Sequence, residues 1–156
     1  SKQNKLIARL QFYLSQVYHS QKLFSKSIPL QEKLLQSKQD LNPNQFQKTL
    51  ARLEKAYVQT NNLHKALAIR KQRRKMGLTD SFYELYADFE LFDLALKEFL
   101  AFEKITPTTK MVDQYKYYRI IGNLYFELGK IDSARKYYSI GLNLSNQQLQ
   151  NSFDFY

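Results

Sequence analysis

The clearest pattern in the chain is a pair of amphipathic segments joined by a glycine, in YRIIGNLYFELGKIDSARKYYSIGLNLSN from Tyr118 to Asn146. Apolar residues recur every three or four positions on both sides of Gly129, as in helices that bury one face. A glycine between two such runs suits the sharp turn of an antiparallel helix pair. The inward positions are Ile121, Leu124, Tyr125, Leu128, Ile131, Ala134, Tyr138 and Leu142. The segment therefore predicts a helix hairpin, which buries its apolar face by packing on a neighbouring hairpin.

The order of residue types in this hairpin resembles the tetratricopeptide repeat, a helix–turn–helix unit of 34 residues. That family places a large aromatic, Leu-Gly, Tyr, Gly, an apolar residue, Ala and a second aromatic at fixed spacing. The matching positions are Tyr118, Ile121, Gly122, Tyr125, Gly129, Ile131, Ala134 and Tyr138, and Gly141 is a mild departure. The resemblance implies that this hairpin is one repeat of an array.

Three weaker copies of the pattern lie upstream, and each has a small residue where the two helices of a repeat approach most closely. With the strong copy, these residues are Ser27, Ala66, Ala95 and Ala134, spaced by 39, 29 and 39 positions. Alternate members of the set are 68 positions apart, which is twice the family period. The spacing predicts about four helix pairs.

We therefore expect an all-α fold: a right-handed solenoid of stacked antiparallel helix hairpins, similar to tetratricopeptide domains, with about four repeats. A single domain is expected over residues 1–156, with repeats at 8–41, 43–78, 79–106 and 107–146, and a further or capping helix beginning within 147–156. Tyr and Phe side chains are expected to dominate the core. The chain starts SKQNK, without a methionine, and ends SFDFY, so we expect it to be a fragment of a longer protein.

Capping residues predict where helices start and end. Asn42-Pro43 and Thr106-Pro107 each place a capping side chain before a proline in the first helical turn. Met76-Gly77 predicts a helix end, and Thr79-Asp80 predicts the cap of the next helix.

Composition excludes several classes of protein. Cysteine is absent, which excludes a disulfide framework, a thiolate zinc site and a cysteine nucleophile. No apolar run approaches the length of a transmembrane helix, so we expect no membrane span in this segment. The lack of cysteine suits a reducing cytosol, which we favour slightly, and a periplasmic or other extracytoplasmic location stays open.

The charge of the chain is unevenly distributed. The net charge is +10, but residues 1–78 hold 16 Lys and Arg against 3 Asp and Glu, whereas residues 79–156 hold 8 against 11. The basic half should attract an acidic surface. We therefore expect a protein or peptide partner of acidic character.

The basic charge is densest in IRKQRRKM, Ile69 to Met76. Its cations are Arg70, Lys71, Arg73, Arg74 and Lys75. We expect a solvated end of a helix, with the aliphatic stems of Arg70 and Arg73 packed, their guanidinium groups in water, and part of the cluster paired with acids of the third repeat. A docking patch for an acidic partner and a targeting signal stay open. Nucleic acid is disfavoured because no recognisable binding motif accompanies the cluster.

Signals for catalysis are poor, and we expect neither an enzyme nor a bound cofactor or metal. His19 and His64 are the only histidines, and no recognisable spacing adds metal ligands to either. The glycines form no phosphate-binding loop. Ser133 and Lys136 spell the short motif SxxK without any companion motif, so we interpret them as structural.

The resemblance implies that a partner binds in a concave groove lined by the first helix of each repeat. The groove positions carried over from the family are Phe12, Gln16, His19, Lys48, Arg52, Lys55, Gln59, Glu84, Asp88, Arg119, Asn123 and Phe126. Arg119 and Asn123 resemble half of a pair that grips a carboxylate. Glu84 and Asp88 would repel one, so we expect a groove of mixed charge.

Two functions follow from the resemblance. The first is a non-catalytic scaffold that recruits a protein or peptide through the groove. The alternative is a regulatory or sensory segment of a larger signalling protein, such as a sensor kinase or a peptide-responsive transcription regulator. A homo-oligomer stays open in either case.

Overall fold

A computed structural model describes the backbone of residues 2–79, 81–105 and 111–153, and the side chains of 2–79, 81–101 and 114–146. Within these residues the chain forms eight α-helices and one short 3-10 turn, with no strand. The helices are α1 (Lys2–Ser20), α2 (Phe24–Gln36), α3 (Pro43–Gln59), α4 (Leu63–Lys75), α5 (Tyr83–Asp88), α6 (Phe92–Ile105), α7 (Met111–Glu127) and α8 (Ile131–Phe153), with the 3-10 turn at Lys38–Asp40. The prediction of an all-α fold is confirmed.

The chain divides into two compact units, Ser1–Asp80 and Ser81–Tyr156. In unit 1, α1 packs on α2 and α3, α2 packs on α3, and α3 packs on α4. In unit 2, α5 packs on α6, α6 on α7 and α7 on α8. The single domain and the boundaries of the repeats stay predictions.

The turns of four helix hairpins have the same backbone geometry. Each contains one residue in the left-handed region: Lys22 (φ 59°), Asn61 (φ 54°), Glu90 (φ 58°) and Gly129 (φ 70°). The next residue donates its N–H to the carbonyl five positions back, which belongs to a tyrosine in every case. This bond satisfies a carbonyl that the end of the helix leaves free. The pairs are Leu23–Tyr18, Asn62–Tyr57, Leu91–Tyr86 and Lys130–Tyr125, at 2.8 to 2.9 Å.

A small buried residue follows each of these turns. Ser27, Ala66 and Ala95 are 0% exposed and Ala134 is 2% exposed. Each lies five positions after the left-handed residue of its turn, so the spacing found in the sequence is also the spacing of the turns. The prediction that these four residues are buried is confirmed.

Glycine allows a close approach between α7 and α8. A Cβ atom added at Gly122 would lie 2.6 Å from Cε1 of Tyr138, and one added at Gly141 would lie 3.3 Å from Cβ of Tyr118. A larger residue at Gly122 would have to displace the Tyr138 ring. Gly122 therefore lies where α7 and α8 cross closely.

Two of the predicted helix boundaries are confirmed. The Asn42 side chain caps α3 by accepting a hydrogen bond from the N–H of Gln45 at 2.8 Å. The Gln45 side chain in turn accepts a hydrogen bond from the N–H of Asn42 at 3.2 Å. Pro43 occupies the first helical position, where its missing N–H costs nothing. The helix α4 ends before Gly77, which has φ 67°.

The predicted cap at Thr79-Asp80 is wrong, because α5 begins at Tyr83 and is preceded by Phe82. Thr79 instead accepts a hydrogen bond from Arg70 Nη1 at 3.4 Å. Asp80 and the predicted cap at Thr106-Pro107 lie outside the described residues. The further helix expected within 147–156 also differs, since α8 continues to Phe153. No glycine or proline interrupts the chain there.

Aliphatic and aromatic side chains share the core of each unit. In unit 1, Leu34, Leu50 and Leu53 are fully buried, and Phe12 and Tyr57 are each only 4% exposed. In unit 2, tyrosines pack around Phe99 and Ile121. The Tyr125 and Tyr137 rings stack at 5.4 Å with an angle of 2° between their planes. Tyr and Phe side chains therefore contribute to the core of both units.

Candidate functional site

The α1–α3 face is a strip of polar and cationic side chains on two helices that pack together in unit 1. On α3 its members recur at intervals of four, three and four residues, so they lie on one side of the helix. A matching strip on α1 surrounds Phe12. We define the α1–α3 face as Lys5, Arg9, Gln16, His19, Lys48, Arg52, Lys55 and Gln59. Six of these eight were predicted from the resemblance.

Phe12 does not belong to this face as a contact residue. Only 4% of it is exposed, and it forms part of the buried cluster with Ala8 and Leu34. The Arg52 guanidinium lies 5.1 Å from the centre of the Phe12 ring, in a cation–π arrangement. The prediction that Phe12 lines the groove is corrected: it supports Arg52 from below.

Positive charge is concentrated around His19. Burial, and then the charges of Arg52 and Lys55, lower the pKa of His19 below its ordinary value. Its Nδ1 atom and the Nη1 atom of Arg52 are shielded and have no hydrogen-bond partner among the described protein groups. Burial also lowers the pKa of Arg52. The α1–α3 face therefore brings three basic side chains, His19, Arg52 and Lys55, close together. Among the described residues, no carboxylate forms an ion pair with Arg52 or Lys55.

Two acids of unit 1, Glu32 and Glu54, are engaged with groups outside this face. Glu32 accepts hydrogen bonds from the Tyr57 hydroxyl and from Lys65, whose Nζ lies 2.9 Å away. Glu54 pairs with Arg70 and Arg73. Among the described residues, the Lys and Arg side chains of the α1–α3 face form no ion pair. An anionic ligand would meet cations that no protein carboxylate already holds.

A depression of about 430 Å³ lies at one end of this face. Lys5, Arg9 and Tyr13 line it from α1, and Asp40 is the one acid in its wall. Sequence reasoning missed all three α1 residues. The four-residue interval between Lys5 and Arg9 was the available signal, since it places two cations on one side of a helix.

The basic cluster of α4 divides into an inner and an outer part. Arg70 is 5% exposed, and its Nη2 lies 2.8 Å from Oε1 of Glu54. Arg73 Nη1 lies 2.7 Å from the same oxygen. The expectation that the Arg70 guanidinium reaches water is therefore wrong, because a buried carboxylate holds it. Lys71, Arg74 and Lys75 are exposed.

The predicted groove residues of unit 2 lie on α5 and α7. Glu84 and Asp88 are exposed on α5, and Arg119 is exposed on α7. Asn123 Oδ1 accepts a hydrogen bond from the Tyr138 hydroxyl at 2.8 Å, so its amide oxygen is already engaged. Phe126 is 55% exposed, beside α8. These positions do not form a cationic face like that of unit 1.

Among the described residues, no group of three or more His, Asp or Glu side chains could hold a metal ion. His64 is exposed on α4, whereas Ser133 is half-buried on α8. None of the described helices combines the length and apolarity that crossing a bilayer requires.

Neither a scan against models of protein families nor a search of curated proteins finds a match for this chain. A functional assignment therefore rests on the geometry of the molecule itself. The two features available for it are the four equivalent turns and the α1–α3 face.

Proposed function

We propose that this chain is a non-catalytic scaffold that binds an acidic segment of a protein or peptide on the α1–α3 face. One observation carries the proposal: the lysines and arginines of two packed helices share this face and form no ion pair there. Side-chain carboxylates of a partner would supply the missing acceptors. Such charge-assisted hydrogen bonds are roughly twice as strong as neutral ones.

The face is suited to recognition because part of it is held in place. The Phe12 ring supports Arg52, whose freedom is reduced before a partner arrives. Lys48 and Lys55 are exposed on either side and reach into solvent. An approaching acidic segment would be steered by these lysines and then fixed by Arg52.

A peptide fits the face better than a nucleic acid does. Binding of single strands draws on exposed aromatic rings that stack with bases. Phe12, the aromatic residue between the two cationic strips, is buried, and the exposed ring of Tyr13 lies at one end of the face, in the wall of the depression. Lys, Arg and Gln donors spaced by one helical turn suit carboxylates along an extended or helical peptide.

We further propose that the hairpins are repeats of the tetratricopeptide type. The support is the identical hydrogen bonding of the four turns and the small residue five positions after each left-handed residue. Repeat domains of this kind present helix faces to partners. This reading agrees with a binding role and needs no reactive group.

The test is a binding measurement with a glutamate homopeptide. Fluorescence anisotropy should show binding that weakens as salt rises, because the contacts are ionic. The double variant Lys48→Glu/Lys55→Glu should weaken binding about tenfold or more, which corresponds to about 1.4 kcal/mol. The control Lys33→Glu/Lys71→Glu makes the same change in net charge at exposed positions of α2 and α4.

An equal loss in both double variants would assign binding to net charge and overturn the α1–α3 face as the site. The same binding measurement is repeated with a single-stranded oligonucleotide whose charge matches that of the glutamate peptide. If it binds more tightly than the glutamate peptide, and Lys48→Glu/Lys55→Glu abolishes that binding, the peptide assignment is wrong. Circular dichroism should show that all variants remain helical.

A further inference from the structure

The helix α1 is apolar on two opposite sides. Ala8, Phe12 and Ser15 form its buried side. The opposite side carries large apolar residues that face solvent, which we call the outer stripe: Leu6 (59% exposed), Leu10 (61%), Tyr13 (48%), Leu14 (44%) and Val17 (48%). An apolar strip of this length on a helix surface marks an interaction site.

The spacing of the outer stripe is that of a helix that packs on another helix. Leu6, Leu10, Tyr13 and Val17 follow one another at intervals of four, three and four. This alternation is the apolar seam of a coiled coil, in which each side chain fits between residues of the facing helix. The expected occupant is therefore a helix with a seam of the same period.

The outer stripe matches a reversed copy of itself. Leu6 and Val17 are equally far from the midpoint between Gln11 and Phe12, and Leu10 and Tyr13 are equally far from it as well. A two-fold axis at this midpoint places Leu6 against Val17 of the second copy, and Leu10 against Tyr13. Such self-complementary contacts are the rule in symmetric dimers.

The charges of α1 also favour an antiparallel copy. Lys2, Lys5 and Arg9 all lie before the midpoint, and α1 contains no acid. In a parallel pair these cations would face one another. In an antiparallel pair they lie near the C-terminal end of the second helix, whose carbonyl groups attract positive charge. Along the chain, the first like charge after α1 is Lys22, which lies in the turn. Arg52 and Lys55 of α3 lie near His19, on the α1–α3 face.

We propose that two copies of this chain associate through antiparallel α1 helices along the outer stripe. The five half-exposed side chains would bury on the order of 400 Å² per copy, which is the size of a weak, reversible interface. Dissociation at micromolar concentration is therefore expected. The proposal does not require binding of an acidic peptide, because the outer stripe shares no residue with the α1–α3 face. The two surfaces are neighbours, since Tyr13 lines the depression at the end of that face together with Lys5 and Arg9.

Sedimentation equilibrium over the micromolar range tests the association. The wild-type chain should pass from monomer to dimer as concentration rises. Leu10→Glu should raise the dissociation constant at least about tenfold, since the charge would face Tyr13 of the second copy. Leu10 is exposed, so this variant should still fold. Gln47→Glu is the matched control, with the same added charge at an exposed position of α3 that belongs neither to the outer stripe nor to the α1–α3 face.

Cross-linking tests the register, because the natural chain has no cysteine. A short bis-maleimide should join Leu6→Cys to Val17→Cys in a mixture of the two variants. It should not join Leu6→Cys to itself. Self-linking of Leu6→Cys would overturn the antiparallel arrangement.

A wild-type chain that stays monomeric throughout the range would overturn the proposal. Two other occupants of the outer stripe are tested by binding measurements on the wild-type chain and the Leu10→Glu variant. Leu10-dependent binding of the monomer to phosphatidylserine vesicles would make the outer stripe a membrane site. Leu10-dependent binding to an amphipathic helix rich in Glu and Leu, without dimers, would make it a site for an acidic partner helix. Either result would contradict self-association.

Discussion

Arg70 of α4 and Glu54 of α3 form a bidentate ion pair inside unit 1. Arg70 Nε and Nη2 donate to the two carboxylate oxygens at 3.0 and 2.8 Å. Only 6% of the Arg70 side chain and 7% of the Glu54 side chain are exposed. Because Arg73 bonds to the same carboxylate, one acid compensates two cations in a largely buried position.

Glu54→Gln is expected to destabilise the chain by about 3–5 kcal/mol, because it leaves buried guanidinium charge without a counter-ion. Urea unfolding followed by circular dichroism measures this change. Glu127→Gln, at an exposed position of α7, is the matched control and should change stability by less than about 0.5 kcal/mol. A loss below about 1 kcal/mol in Glu54→Gln would contradict the buried pair. The double variant Glu54→Leu/Arg70→Leu should recover part of the stability, since it removes two charges together.

Replacing Glu90 by glycine is expected to stabilise unit 2 by about 0.5–1 kcal/mol. Glu90 has φ 58°, a conformation that glycine adopts without the steric cost of a Cβ atom. Thermal unfolding should show a higher midpoint. Lys97→Gly, in the exposed interior of α6, should lower the midpoint by a similar amount, because there glycine only adds conformational freedom to the unfolded chain. A lower midpoint for Glu90→Gly would show that the Glu90 side chain stabilises the fold by more than its left-handed backbone conformation costs.

Stability in acid is expected to depend on Glu32. Hydrogen bonds from Tyr57 and then from Lys65 lower its pKa below the ordinary value, burial opposes them by a smaller amount, and the charge of Lys65 adds the smallest lowering effect. A carboxyl group with a lowered pKa stabilises the fold at higher pH, and that contribution is lost as pH falls through the folded value. Glu32→Gln should therefore lower the unfolding midpoint at neutral pH, and its deficit should shrink on acidification.

Tyr57→Phe provides the control for this mechanism, because it removes the largest cause of the shift in the pKa of Glu32. Its acid-induced loss of stability should be smaller than in the wild-type chain and should be complete at a higher pH, because the folded pKa of Glu32 moves back toward the unfolded value. Urea midpoints measured across the acid range check both variants. A constant difference between Glu32→Gln and the wild type at every pH would exclude the linkage.

The sequence predicts the fold where residue preference and geometry agree. Gly129 favours a left-handed turn between two runs of helical period, so that hairpin was predictable. Lys22 and Glu90 adopt the same conformation without preferring it, because the packing of the adjoining helices imposes it. Helix α5 also starts later than predicted, since Phe82 precedes it instead of a capping side chain.

The candidate site was predictable in part. Lys48, Arg52 and Lys55 could be placed on one side of α3 from their spacing alone. Arg70 is buried on α4, but its charge suggested an exposed guanidinium. Its partner Glu54 lies on another helix, so only the packing of α3 on α4 brings the two together. Phe12 shows the converse. The resemblance to the family predicted that its ring lines a groove, but the ring is buried in the core.

The four equivalent turns have a consequence for how such a chain can change over time. Each hairpin contains both the bend that closes it and the small side chain that lets its helices meet. A gene segment encoding one hairpin can therefore be duplicated or lost as an intact module. Growth of the coding sequence by whole hairpins would preserve every local bend, whichever amino acid occupies it.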